Sequence, residues 1–327
     1  MVERVSGLMR ALAAAGIRAL RDAVSICLDL FKVMVPVIIL VKMLKEFGLI
    51  SYLAAPLAPA MRLVGLPGEM GLVWATAIIN NIYSGLVVYA ELARDSGALT
   101  TAQVTILSVM MLIAHNLPVE SKITQKCGVG FWGQVVIRMS GALVCGLLLR
   151  WIFDAFALFT EPAVLAFEVK PEGASLVSWA GGQAWNLCMI FLVILALLLL
   201  MRTLSAIRAT DFMEWLLSPL LRIMGIGRRA ATITIIGLVM GIAYGGGLII
   251  HEVKGGKISR QDVFSSITLM GLSHALVEDT LLMLLIGANL WGALVGRLAF
   301  SLAVVAILSR LLAPRLTSRD TWLTRFF

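Results

Sequence analysis

Apolar residues run without a charge from Met70 to Ala90, from Ser96 to Val119, from Gly173 to Met201 and from Ala230 to Ile250. Two more runs, Cys127 to Leu149 and Thr280 to Leu308, are each interrupted by one arginine. A helix needs about 20 apolar residues to cross a bilayer, and these runs meet that length. A transmembrane barrel would instead show alternating segments of about ten residues, so the pattern predicts an all-α integral membrane protein.

The chain also matches itself. At an offset of 159, Trp132, Gly133, Val136 and Arg138 fall on Trp291, Gly292, Val295 and Arg297, and Met111, His115 and Leu117 fall on Met270, His274 and Leu276. Upstream, Pro59, Arg62 and Gly65 match Pro219, Arg222 and Gly225. A repeat of this length sets the architecture before any element is assigned. The organisation expected is an amphipathic interfacial helix over 1–22, repeat one over 23–157, an extracytoplasmic linker over 158–182, repeat two over 183–313 and a basic tail over 314–327.

Each repeat then contains a long apolar helix, a short connector, a segment with a polar or Gly-rich centre, a stretch broken near its middle, and a last helix. Arg4, Arg10, Arg18 and Arg21 at one end and Arg310, Arg315, Arg319 and Arg325 at the other place both termini in the cytoplasm by the positive-inside rule. The linker, with Glu161, Glu168 and Glu172, falls outside. Each repeat must therefore cross an odd number of times. The expectation is two inverted-topology repeats, each with three spanning helices and one re-entrant helical hairpin assigned to the broken third segment with its tip near Pro118; this scheme puts Lys254, Lys257 and Arg260 outside, and the alternative is parallel repeats of four full spans each.

Composition agrees: 60% of residues are hydrophobic and only 14% charged, which excludes an ordinary soluble enzyme. The net charge of +8 lies at loop ends and termini, so it reads as a topology signal and implies no nucleic-acid partner. Cys27, Cys127, Cys145 and Cys188 are scattered without metal or disulfide spacing.

Ionisable groups inside apolar spans are costly, and each is a functional-site hypothesis. They recur at matching places: His115-Asn116-Leu117-Pro118-Val119-Glu120-Ser121 in repeat one and His274-Ala275-Leu276-Val277-Glu278-Asp279-Thr280 in repeat two. An imidazole followed by a carboxylate and a hydroxyl can carry protons and bind a polar solute or a cation. The centre of the preceding segment, Asn80-Asn81-Ile82-Tyr83-Ser84, is matched by Ala243-Tyr244 and three glycines, and Asn80, Asn81, Tyr83, Ser84 and Tyr244 are candidate pocket residues. Arg138 and Arg297, each about eight residues into its helix, are candidate charge partners for Glu120 and Asp279, or else offer charge to an anionic substrate.

His115, His274, Glu120 and Asp279 offer the donor types of a Zn, Fe or Mn site, but their spacing is no recognised motif, so no resident metal or other cofactor is expected. No nucleotide-binding or hydrolase motif appears either, and no enzymatic activity is expected.

The Asn80 to Leu86 stretch and the Asn116 to Ser121 turn, with their counterparts around Tyr244 and Glu278, resemble the Gate-domain family of nucleoside-recognition membrane proteins. That family includes spore maturation proteins A and B and shares a scaffold with the concentrative nucleoside transporters. Where those transporters carry a Gln-Thr-Glu-like tip, Pro118-Val119-Glu120 keeps the acid. The resemblance implies an inverted-repeat carrier scaffold.

The functional expectation is a secondary transporter of a small polar solute, nucleoside-like or another small organic molecule, in the bacterial inner membrane. It would be coupled to H+ or Na+, work by alternating access around a midplane site, and pair with a second copy as a homodimer. The alternatives are a non-transporting envelope-maturation protein with a degenerate carrier fold and a divalent-metal transporter.

Overall fold

In the computed structural model the described residues are 2–92, 99–166, 175–206, 209–254 and 258–316. Among them every element is a helix, apart from a single bridge between Thr100 and Pro162. Among the described residues six helices are long and apolar enough to cross a membrane: Leu20–Glu46, Thr101–Lys126, Phe131–Ala155, Leu176–Leu204, Arg260–Leu284 and Trp291–Leu312. The chain is a multi-pass membrane protein.

The first helix, α1 (Val2–Glu46), continues through the segment expected to lie separately on the surface; the side chains of residues 1–15, with Arg4 and Arg10, and that of Arg18 lie outside the description. Arg319 and Arg325 of the tail, and Glu168 and Glu172 of the linker, lie outside it as well. After α1 come the short α2 (Ile50–Ala54) and α3 (Ala58–Leu63), then α4 (Met70–Ile79), α5 (Ile82–Leu92), α6 (Thr101–Ala114), α7 (Leu117–Lys126) and α8 (Phe131–Ala155). The second half runs α9 (Leu176–Ala206), α10 (Ala209–Ile223), α11 (Arg228–Met240), α12 (Ile242–Lys254), α13 (Arg260–Ser273), α14 (Glu278–Leu284) and α15 (Arg297–Leu316), the last preceded by a π-helical turn, Trp291–Gly296.

The chain divides into two compact units. The smaller comprises residues 1–40 and 167–209, the bulk of α1 and α9. In it Ala23, Cys27, Met34 and Ile38 are buried at the spacing of a helix seam, and Arg202 pairs with Asp22. Other apolar side chains of the two helices, among them Val24, Leu28, Leu40, Leu192 and Leu199, are exposed, as on lipid-facing helices.

The larger unit, residues 41–166 and 210–327, holds everything else. Its core is a set of interruptions, and these fall one element away from the expectation. The helical hairpin in each repeat is the second segment. In repeat one, α4 ends at Asn80, whose backbone leaves the helical region, and the Asn81 carboxamide accepts from the Ser84 amide to start α5. The two helices then pack face to face at Gly85, where an added Cβ would lie 2.8 Å from the Ala77 Cβ. In repeat two α11 ends at Gly241, at φ +98°, and α12 returns with Gly245 against Gly237.

The third segment, assigned to the re-entrant hairpin with its tip near Pro118, is instead a broken span. α6 and α7 both pack along α8 rather than on each other, and together they form one stretch of 26 residues long and apolar enough to cross a membrane. The correction has a simple cause: Pro118 occupies the first turn of α7, where a missing amide costs nothing, so it starts a helix rather than reversing the chain. Three long spans and one hairpin per repeat remain.

The repeat is visible in detail. Thr100 and Ser259, 159 positions apart, cap α6 and α13 by accepting from the amides of Gln103 and Asp262. Asn116 and Ala275, again 159 apart, hold left-handed backbone at φ +46° and +47°. The amide after each break is tied to a hairpin: Asn116 donates to the Ala77 carbonyl and Leu276 to the Leu238 carbonyl, both at 2.8 Å.

Candidate functional site

A break in an apolar helix leaves carbonyls and amides without helical partners, and buried backbone groups must find others. At the first break Arg138 of α8 supplies them. Its Nε donates to the Ile113 carbonyl and its Nη2 to the His115 carbonyl, each at 2.8 Å. The remaining Nη1 lies 2.6 Å from Glu120 Oε2 in an ion pair. Arg138 has no solvent-exposed surface, and Glu120 is 4% exposed, so this is a fully enclosed charge pair.

The pairing fixes where Glu120 points. With Oε2 held by Arg138, its Oε1 lies 3.3 Å from His274 Nε2 and 3.5 Å from His115 Nε2. One carboxylate from repeat one thus serves both imidazoles, whose ring centroids are 5.0 Å apart. Asp279 reaches the same place from α14, its Oδ2 at 4.0 Å from His115 Nε2.

The tautomers follow from the opposite side of each ring. His115 Nδ1 faces the Met111 carbonyl at 3.1 Å and His274 Nδ1 faces the Met270 carbonyl at 2.8 Å. A carbonyl can only accept, so each Nδ1 carries a proton and donates. In neutral rings the Nε2 atoms are then acceptors turned toward another acceptor, Glu120 Oε1. Only a proton or another cation between them makes the arrangement attractive.

Around this centre, Glu278 accepts from the Tyr83 hydroxyl at 3.4 Å, joining the hairpin of repeat one to the break of repeat two. Asn80 donates to the Ser84 hydroxyl at 2.7 Å, and Ser84 is buried, so the asparagine pair organises its own hairpin tip. The Ser121 and Thr280 hydroxyls and Asp279 Oδ2 are buried and have no hydrogen-bond partner among the described residues. Tyr244 is placed differently from the others: it is 53% exposed on α12.

Arg297 is fully buried like Arg138, yet none of its three guanidinium nitrogens has a hydrogen-bond partner among the described residues.

The sequence did not single out Gln134 or Thr268, which hydrogen-bond at 2.9 Å between α8 and α13 and stitch the repeats together beside the site. Their polarity inside apolar runs was the available signal.

His115, His274 and Asp279 each present a ligand atom, all within 4.8 Å of one another, a donor set that imidazole-binding divalent ions use. Glu120 is paired with Arg138, and Asp279 lies within electrostatic reach of Arg297, whereas Glu278 is turned to the Tyr83 hydroxyl.

Known proteins place the chain in a consistent setting. Residues 27–129 match the family model Gate, described as nucleoside recognition, and this stretch reaches from the first span past the first break. The uncharacterized membrane protein YvoD of Bacillus subtilis (strain 168) is 29% identical over 274 residues, which cover 81% of this chain and 85% of that protein. No solved structure matches.

Proposed function

We propose that this Gate-domain membrane protein is a proton-coupled secondary transporter of a small polar solute of nucleoside-like character, residing in the bacterial inner membrane with both termini cytoplasmic. The two halves act as inverted repeats, and solute and proton alternate between the two sides around the meeting point of the two helix breaks.

One observation carries the reading. Two histidines 159 positions apart in sequence come together around a shared carboxylate, inside spans apolar enough to cross a bilayer. A purely structural role for such groups is costly, because hydrophobic residues would fill the same space without desolvating charge.

In the proposed cycle the arrangement described here is the occluded state. Glu120, held by Arg138, retains one proton between itself and the two Nε2 atoms. Ser121, Thr280 and Asp279 offer unsatisfied polar atoms to the solute, and the Tyr83–Glu278 and Asn80–Asn81 groups flank it. Opening toward either side hydrates the imidazoles and releases the proton.

The test is uptake of radiolabelled uridine and adenosine into proteoliposomes under an imposed proton gradient, with a pH-sensitive dye inside. Uptake and internal acidification are expected together, and both fall to background in His115→Ala and Glu120→Gln. Wild-type flux in His115→Ala overturns the reading.

A further inference from the structure

The two arginines occupy the same place in the repeat, in Trp132-Gly133-Gln134-Val135-Val136-Ile137-Arg138 and Trp291-Gly292-Ala293-Leu294-Val295-Gly296-Arg297. They are in different states. Arg138 donates to the carbonyls of Ile113 and His115 and pairs with Glu120. The groups related by the repeat are the carbonyls of Leu272 and His274 and the carboxylate of Asp279, and Arg297 makes a hydrogen bond to none of them. Asp279 is within electrostatic reach of Arg297, and its Oδ2 is likewise unpartnered among the described residues.

A second difference lies just before the unpartnered residue. Residues Trp291–Gly296 form a π-helical turn, while the equivalent stretch of α8 is regular α-helix. Gly296 stands where repeat one has Ile137, and glycine tolerates the wider turn. A π-turn holds one residue more than an α-turn. Resolving it into α-helix shifts the register by one residue, which turns a following side chain by about 100° around the axis and advances it by about 1.5 Å. Such a rotation is of the size needed to bring a side chain from beside a break to facing it.

We infer that Arg138 and Arg297 are alternating latches. The break whose carbonyls and acid are held by its arginine is closed, the other is free to open, and the 291–296 turn is the spring that exchanges them. In the arrangement here the first break is latched and the second released. Conversion of the π-turn to α-helix carries Arg297 onto the Leu272 and His274 carbonyls and Asp279, and the release of Arg138 accompanies it. Both are positioning residues: they act on the histidines and acids through the backbone that carries them. The proposal deepens the transporter reading and rests on it for its purpose, but its test reads backbone protection and not flux, so the two fail separately.

The test is hydrogen–deuterium exchange of the full chain in lipid nanodiscs, comparing the amides of 116–120 with those of 275–279. In the wild type the second set is expected to exchange about tenfold faster or more, the protection that one or two charge-assisted hydrogen bonds give against local opening. Arg138→Gln removes the difference by raising exchange at 116–120. Deletion of Ala293, which takes out the extra residue of the π-turn, slows 275–279 to the level of the first break. Arg297→Gln leaves wild-type exchange at 275–279 unchanged and, combined with the deletion, cancels the added protection. Equal exchange at the two breaks in the wild type overturns the proposal, as does an Ala293 deletion that folds and leaves 275–279 unchanged. If both arginine variants raise exchange equally at their own breaks, the arginines are static caps and the alternation is refuted.

Discussion

Replacing Arg138 by methionine keeps much of the side-chain volume and removes three interactions at once: two donations at 2.8 Å to broken-helix carbonyls and an ion pair at 2.6 Å with Glu120. Hydrogen bonds from a charged donor contribute about 1.5–3 kcal/mol each, and a buried acid left without its partner costs about 3–5 kcal/mol. These overlap, since the same arginine supplies both, so Arg138→Met is expected to destabilise by about 3–5 kcal/mol rather than by their sum. In a Glu120→Gln background the orphaned charge no longer exists and only the carbonyls suffer, so the loss should shrink to about 2 kcal/mol. The difference is a coupling of about 1–3 kcal/mol, within the range for residues in direct contact. Equilibrium unfolding by SDS in mixed micelles, followed by the fluorescence of the eight tryptophans, measures all four corners of the cycle. Additive single and double variants would refute the reasoning, because the pair would then not share one enclosed environment.

Three further outcomes follow from the packing. Gly237→Ala drives a Cβ into the Met270 Sδ and places it 3.1 Å from the Met270 Cγ and 3.2 Å from the Gly245 Cα, and the displacement of Met270 and of the α11–α12 hairpin is expected to cost about 1–3 kcal/mol in the same unfolding assay. Asn81→Ala loses the 2.9 Å cap on the Ser84 amide and about 0.5–2 kcal/mol, whereas Asn81→Asp retains the acceptor and most of the stability. Gln134→Leu leaves the Thr268 hydroxyl without its 2.9 Å partner between the repeats, for about 1–3 kcal/mol; a companion Thr268→Val change recovers part of that loss, a recovery that separates an orphaned polar group from lost packing.

Much of the site was visible in the residue pattern, and the reason is that membrane burial makes charge conspicuous. His115, Glu120, His274, Asp279, Arg138 and Arg297 stand out because almost nothing else ionisable lies within their runs. The 159-residue period told which of them correspond. Correspondence is not contact, however. Glu120 and Asp279 read as equivalent acids, each with its own histidine and its own arginine, but in the structure Glu120 lies nearest both imidazoles and Arg138 is committed while Arg297 is not.

The hairpin shows the same division. Polar content and a proline at 118 made the third segment the obvious place for the chain to turn back. Yet a proline in a first turn is compatible with a helix that continues in a new segment, and a pair of asparagines or a glycine at the end of a short apolar helix can reverse it. Local preferences permit both; the choice was made by packing, where α4 has α5 to close upon and α6 and α7 have the full length of α8.

Sequence alone therefore determined that the chain crosses a membrane, that it is a doubled unit, and which few side chains carry charge into the apolar interior, since hydropathy, period and rarity are properties of the string. Tertiary structure decided which segment folds back, that the two breaks converge, and that two equivalent arginines differ in state. Those depend on distances between residues far apart in the chain, and on a one-residue difference in helical winding before Arg297 that no local pattern of polar and apolar positions records.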